Sequence, residues 1–297
     1  MSVGVAGVSR LNIQWGLQNF TGTQLVHAFA GPEQQVPFDE SHSVADGIRV
    51  VHIMIPNGKV TVTGGATGTV HDTGTFYAKT SDASSAKKMW QENWSVSTSG
   101  DTMTLALKRP SDQNWMASAG MYMTVNISMP KSLHAVIDTT NAQIQVDSIE
   151  NGVEANATNG DVKISDVKGS VQVITTNGVC QVNHAMGPLD AQTTNGLITV
   201  KEVSGSVQLH TTNGKISLDS STVGGNWTIA TTNGPIDVGL PTSADLSLQA
   251  STDNGGFNGN VAWQKQGKHH ATCVLGDGRF QGVFSTTNGP ISVSTNS

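Results

Sequence analysis

TTNAQIQV (139–146), ATNGDVKI (157–164), TTNGVCQV (175–182), TTNGLITV (193–200) and TTNGKISL (211–218) are five versions of one phrase, with Asn141, Asn159, Asn177, Asn195 and Asn213 eighteen residues apart. The series continues with slippage through TTNGPIDV (231–238), a degenerate STDNGG (251–256) and TTNGPISV (286–293), which add Asn233 and Asn288. A fixed period of roughly 20 residues marks a solenoid, in which one coil cannot bury its own strands and relies on the coils above and below.

A half-period lies inside the repeat, because Gly160, Gly169, Gly178, Gly187, Gly196, Gly205 and Gly214 recur every nine residues. Each coil therefore has two turns and two strands. The second and fourth residues after each glycine are apolar, as in Val162 and Ile164, Cys180 and Val182, or Ile216 and Leu218. That alternation places them on one strand face, and stacking turns them into apolar columns. The glycines are expected at corners that need positive φ, and the corner asparagines are expected to stack as a ladder, since an amide both donates and accepts. Asn-Gly between alternating runs also fits a hairpin, but a meander gives no reason for an eighteen-residue identity.

Two other solenoids of this coil length are excluded. A hexapeptide helix needs an aliphatic residue every six positions, whereas six and twelve beyond Ile198 stand Ser204 and His210. A calcium β-roll needs regular Asp ligands in its turns, and these turns have none. The expected fold is all-β: a two-sheet β-roll or β-helix of about 18-residue coils with one short helix.

Working outward, regular coils are expected over 139–240 within a solenoid spanning 41–297, with an irregular excursion at 256–281 whose QKQGKHH segment (264–270) reads as a hairpin tip. Residues 1–40 show no repeat and read as an N-terminal arm or cap. Ile53, Ile55, Val60 and Val62 around Asn57-Gly58 read as an early coil, and strands are expected over 96–108 and 121–129. SSAKKMWQENW (84–94) is the one credible helix, capped by Ser81 or Asp82, with Ala86, Met89 and Trp90 on its apolar face.

Composition agrees with short strands and tight turns, since only 13% of residues are charged and 5% aromatic. A net charge of −6 offers no basic stripe for a phosphate backbone, so nucleic acid is excluded as a partner. No apolar run reaches the length of a membrane span, and the opening MSVGVAGVSRLNIQW lacks the parts of a secretory signal. Cys180 and Cys273 are too few for a disulfide framework and read as buried fillers.

The outward columns give no catalytic cluster. One reads Gln145, Lys163, Gln181, Thr199, Ser217, and another Asp147, Ser165, Asn183, Lys201, Asp219. The candidate metal ligands His269, His270, His52, His71 and His134 form no spaced set with cysteine or carboxylate, so neither a metal nor a cofactor is expected. The regular outward feature is a threonine column of Thr140, Thr158, Thr176, Thr194, Thr212 and Thr232, which serves as β surface or binds ordered water. Leu11, Ile13, Trp15 and Leu17 form an apolar strand outside the repeat, suited to self-association.

The T-T-N-G-x-I-x-V units, Met129-Pro130-Lys131-Ser132 before the first of them, Gly276-Asp277-Gly278 before the last, and GIRVVHIMIPNGKVTVT (47–63) together resemble the putative-adhesin family of bacterial and archaeal β-solenoids. The resemblance covers roughly residues 45–297. It implies a solenoid, exported or at the cell surface, with no catalytic residues to carry over. The functional expectation is a non-enzymatic adhesive solenoid presenting polar β-faces to a surface protein or glycan, or to its own copies head to tail through an uncovered last coil. The alternatives are a carbohydrate-active β-helix enzyme and an ice-binding protein.

Overall fold

The computed structural model describes residues 32–65, 68–108 and 120–296. In chain order the first elements are β1 (Glu33–Ser43), β2 (Val50–Gly65), β3 (Thr69–Lys79), α1 (Ala83–Asn93), β4 (Trp94–Ser99), β5 (Thr102–Leu107), β6 (Met121–Pro130) and β7 (His134–Asp147). The coils follow as β8 (Gly152–Asn159), β9 (Val162–Val167), β10 (Ser170–Asn177), β11 (Cys180–Ala185), β12 (Leu189–Asn195), β13 (Ile198–Val203), β14 (Val207–Asn213), β15 (Ile216–Asp219), β16 (Trp227–Asn233) and β17 (Ile236–Pro241). The last are β18 (Leu246–Thr252), β19 (Phe257–Gly259), β20 (Gln264–Gln266), β21 (His270–Leu275), β22 (Phe280–Asn288) and β23 (Ile291–Asn296).

Even-numbered β8 to β16 pair in parallel as one sheet, and odd-numbered β9 to β17 as the other, each strand bonding to the one a full coil away. The long strands β7 and β2 turn the corner and serve both sheets. The register aligns identical repeat positions, so the interior is a set of columns such as Ile144–Val162–Cys180–Ile198–Ile216–Ile236–Ile291. Burying each aliphatic member contributes about 1.5–3 kcal/mol. Cys180 is one of these fillers, with burial pushing its thiol up to about 12.

The corner glycines correct the expectation of positive φ. Left-handed backbone is found instead at the opposite corner, on Ser148, Asp166, His184 and Glu202, again eighteen apart. At the Asn-Gly corner the constraint is close approach. A Cβ on Gly196 would sit 1.9 Å from the Gly178 carbonyl oxygen, and one on Gly214 would sit 1.9 Å from that of Gly196.

The N-terminal end departs from the repeat. β5 and β6 add in parallel to the two halves of β2. β4 then pairs antiparallel with β5, β3 with β6, and β1 with β3. The boundary expected at residue 40 therefore falls inside β1, and the apolar strand Leu11–Leu17 lies outside the described residues. Helix α1 covers this end. Asp82 is its cap, accepting from the Ser85 amide at 2.8 Å. Hydrogen bonds from Ser84, Ser85 and Ser81 hold its carboxyl well below the ordinary range. Trp90 stacks on Phe38 at 4.4 Å and on Trp94 at 5.1 Å, closing the open cross-section with aromatic surface.

At the other end the expectation that the 286–293 unit closes the stack is overturned. β22 pairs in parallel with β16 on one side and β18 on the other, and β23 lies likewise between β17 and β19. Residues 246–259 form the outermost coil. The excursion that follows turns at Gly267 (φ 75°) and lays β21 antiparallel along β18, with β20 beyond it. Phe257 and Trp263 pack at 5.7 Å near that edge. An uncovered 286–293 coil is one ground for head-to-tail assembly, and that ground is removed; the other, the apolar strand Leu11–Leu17, lies outside the described residues.

Candidate functional site

The outer face of the first sheet has three columns set by strand register. The threonine column runs beside the corner, with Thr158, Thr176 and Thr194 exposed and Thr140, Thr212 and Thr232 partly covered. Two residues upstream on the same face stand Asp138, Asn156, Ile174, Gln192, His210 and Ala230. Ordered water on a threonine face needs a second threonine per coil in T-x-T spacing, and this column does not supply it. The third column reads Glu154, Gln172, Asp190, Gln208 and Thr228.

At the corner each asparagine Nδ2 donates to the Oδ1 of the asparagine one coil away: Asn159 to Asn141, Asn177 to Asn159, Asn195 to Asn177 and Asn213 to Asn195, at 2.8–2.9 Å. The line continues from Asn233 to Asn213, from Asn288 to Asn233 and from Asn254 to Asn288, and Asn141 donates to Asn57. Inside the corner Thr175, Thr193, Thr211, Thr231 and Thr286 are buried, each hydroxyl donating to a glycine carbonyl of the neighbouring coil. One chemical unit therefore satisfies the same turn in five coils, whereas Ala157 lacks the hydroxyl in its own coil.

Where the first sheet meets the N-terminal end, a groove of about 570 Å³ opens among the described residues, lined by Met54, Pro56, Ser97, Ala106, Lys108 and Asp138 among others. His52 Nε2 lies 2.6 Å from Asp138 Oδ2, and Asn156 Nδ2 donates to Asp138 Oδ1 at 2.9 Å and to Glu154 Oε1 at 3.1 Å. His52 pairs with Val136 across β2–β7, so Asp138 is its diagonal neighbour. No sequence spacing reveals that contact, because the two residues are 86 apart in the chain.

Two further histidine–carboxylate contacts lie on β1 and β3. His71 Nε2 lies 2.7 Å from Asp39 Oδ1 on the exposed side. On the inner side His42 Nε2 lies 2.7 Å from Asp72 Oδ1 and 3.9 Å from Glu40 Oε2. Asp72 is fully buried, and its carboxyl is raised by burial, partly offset by His42. His269 Nδ1 meets the Thr252 carbonyl at 3.1 Å, and His270 is exposed on β21. Antiparallel pairing of two strands with no repeat motif explains why the sequence did not reveal these contacts.

The family model described as Toastrack DUF4097 matches residues 52–294. Among solved structures, a putative adhesin from Parabacteroides distasonis is 11% identical over 90% of this chain and 98% of its own, with a TM-score of 0.37. A putative adhesin from Bacteroides fragilis is 11% identical over 88% and 97%, with a TM-score of 0.33. A putative cell adhesion protein from Clostridium sporogenes is 12% identical over 88% and 100%, with a TM-score of 0.27. Superpositions this loose transfer no residue roles. No curated protein matches the chain. Among the described residues no helix is long and apolar enough to cross a membrane.

Proposed function

We propose that this chain, which belongs to the Toastrack DUF4097 family, is a non-catalytic adhesive scaffold that offers the outer face of its first sheet to an extended partner, a surface protein or a glycan. The observation that supports this reading is the in-register array of amide, carboxylate and hydroxyl groups: Glu154, Gln172, Asp190 and Gln208 in one column and the threonines in another. Coils place equivalent groups about 4.8 Å apart, so a linear partner meets the same chemistry at each step. The asparagine and buried-threonine bonds fix the backbone beneath, and a preorganised surface loses little freedom on binding. Such a role belongs at the cell surface.

Screening the full chain against immobilised glycans and surface proteins tests the reading. A ligand bound by this face loses about 10-fold or more in affinity when Gln172 and Gln208 are both replaced by Ala, as expected for two lost hydrogen bonds of about 1 kcal/mol each. Undiminished binding by that variant rejects this face as the site. A second copy of the chain is the other partner considered, and a monodisperse monomer in light scattering excludes it.

One observation favours a carbohydrate-active enzyme instead, namely that Asp138 and Glu154 both accept from one amide nitrogen beside the groove. Sharing one nitrogen at 2.9 and 3.1 Å makes the two carboxylates neighbours, as the paired carboxyl groups of glycosidases are. Against it, both Asp138 oxygens are engaged, one by His52 and one by Asn156. Release of reducing ends from a polysaccharide, abolished by Glu154→Gln, would establish the enzyme and displace the scaffold.

A further inference from the structure

The second sheet ends at β1, where three side chains converge that the adhesive face does not use. Glu40 and His42 alternate along β1 on the side that also carries buried Phe38, and register sets Asp72 of β3 directly across from Glu40. One donor atom from each of Glu40, His42 and Asp72 lies within 4.8 Å of the other two. Asp72 is fully buried, and its Oδ2 has no hydrogen-bond partner among the described residues. The other buried side-chain atoms in that condition are two indole nitrogens, of Trp94 and Trp227. A carboxylate oxygen is the most costly of these to leave unpaired, because it carries charge.

We infer that Glu40, His42 and Asp72 form a binding site for a divalent first-row transition-metal ion, with Zn²⁺ the best match. A cation relieves both defects of the cluster: it pairs the orphaned Asp72 oxygen and neutralises the repulsion between two neighbouring carboxylates. The donor set selects the class of ion, since an imidazole nitrogen beside carboxylates suits zinc and its neighbours, whereas calcium and magnesium take oxygen ligands. Zinc ligands at about 2.0–2.2 Å in tetrahedral array stand roughly 3.4 Å from one another. The 2.7 Å contact between His42 and Asp72 would need to lengthen by about 0.7 Å to reach that separation, and Glu40, 42% exposed with its Oε2 3.9 Å from His42 Nε2, has the freedom to swing inward and complete the set. The fourth position is left to water. The ion's role is structural, joining the end of edge strand β1 to β3 shortly before β1 stops at Ser43.

Calorimetric titration of the chelator-stripped full chain with zinc chloride tests the site. One Zn²⁺ per chain is expected, with affinity falling by more than about 10-fold in His42→Gln and in Glu40→Gln, the loss that even outer-shell changes produce. His71→Gln, which removes the exposed pair on the opposite side of the same strands, is expected to leave binding unchanged, and calcium and magnesium are expected not to compete. Because Asp72→Asn alters a buried group and endangers folding, the two partly exposed positions carry the test. Zinc should also slow hydrogen exchange of β1 amides in the unaltered chain but not in His42→Gln. Wild-type affinity no tighter than that of His42→Gln, or equal loss in His71→Gln or in a His269→Gln, His270→Gln double variant, overturns the assignment. Neither result depends on what the outer face binds.

Discussion

Strands β8–β17 and strands β1–β6 share one continuous core but are put together differently. In the coils a side chain meets the equivalent residue of the next coil, so asparagine bonds asparagine and aliphatic packs on aliphatic. The interior and corner columns that result each repeat one chemistry, and His184 and Asp166, 3.7 Å apart, make a loose and exposed pair. At the N-terminal end antiparallel pairing juxtaposes unrelated residues. There two histidines lie 2.7 Å from a carboxylate, His42 from Asp72 and His71 from Asp39, and a third pair, His52 with Asp138 at 2.6 Å, lies across the parallel pairing of β2 with β7. Repetition builds a regular surface, and departure from it builds convergent sites.

The comparison breaks most visibly if the aromatic end is removed. Trp90→Ala deletes a ring packed on Phe38, Phe76 and Trp94, and is expected to cost about 3–5 kcal/mol in urea unfolding. The loss should appear as early melting of residues 32–107 while far-ultraviolet circular dichroism of the coils persists, as nearest-neighbour stacking allows. A single transition for the whole chain would mean that the two regions are not separable.

A smaller effect is expected inside the coils. Gly196→Ala forces a methyl against the Gly178 carbonyl and should destabilise by about 1–3 kcal/mol, the usual range for overpacking. Gly256→Ala, where an added Cβ meets nothing within 4 Å, is the matched control and should be nearly neutral. Equal midpoints for the two variants would show that close stacking is not what the corner glycines provide.

Asn195→Leu should cost less again, about 1 kcal/mol, because Asn195 is exposed and water replaces part of what the lost amide bonds supply. A drop above about 2 kcal/mol would mean that the ladder acts cooperatively rather than pair by pair.

The smallest effect concerns the seam between the regions, where Glu150 accepts from Lys168 at 2.8 Å and from Lys131 at 2.9 Å. Those bonds lower its pKa below the ordinary 4.5. A carboxylate lowered in the folded state adds stability above its unfolded pKa, and that stability disappears as pH falls through the lowered value. Glu150→Gln should therefore melt slightly earlier at neutral pH and converge with the parent in acid. Failure to converge would trace the difference to something other than this charge.

The sequence carried the coils because stacking writes the same requirement eighteen residues apart, at the Asn141 to Asn213 corners and in the apolar columns. It also carried helix α1, through Asp82 and the Ala86–Trp90 face. It did not carry Asn57 or Asn254 as parts of the asparagine line, since irregular segments separate both from the periodic register. Nor did it carry the His42–Asp72 contact, which exists only because β1 pairs antiparallel with β3, a choice that no local pattern in either strand records. The glycine corners show a subtler miss. Their periodicity was plain, but the left-handed backbone sits at Ser148, Asp166, His184 and Glu202, of which Asp166 and His184 alone are residue types enriched in that conformation.

The lodging of β22 and β23 between two coils formed from earlier sequence means that position along the stack is not the order of synthesis. When residues 246–259 leave the ribosome, the surface they will occupy does not yet exist, and the open edges of β16 and β17 must wait for residues 280–296. Completion of this end is therefore a late, non-local step, the kind that slows folding and leaves strand edges available to the wrong partner in the meantime. A nascent chain halted before residue 280 should hold the earlier coils and expose that edge.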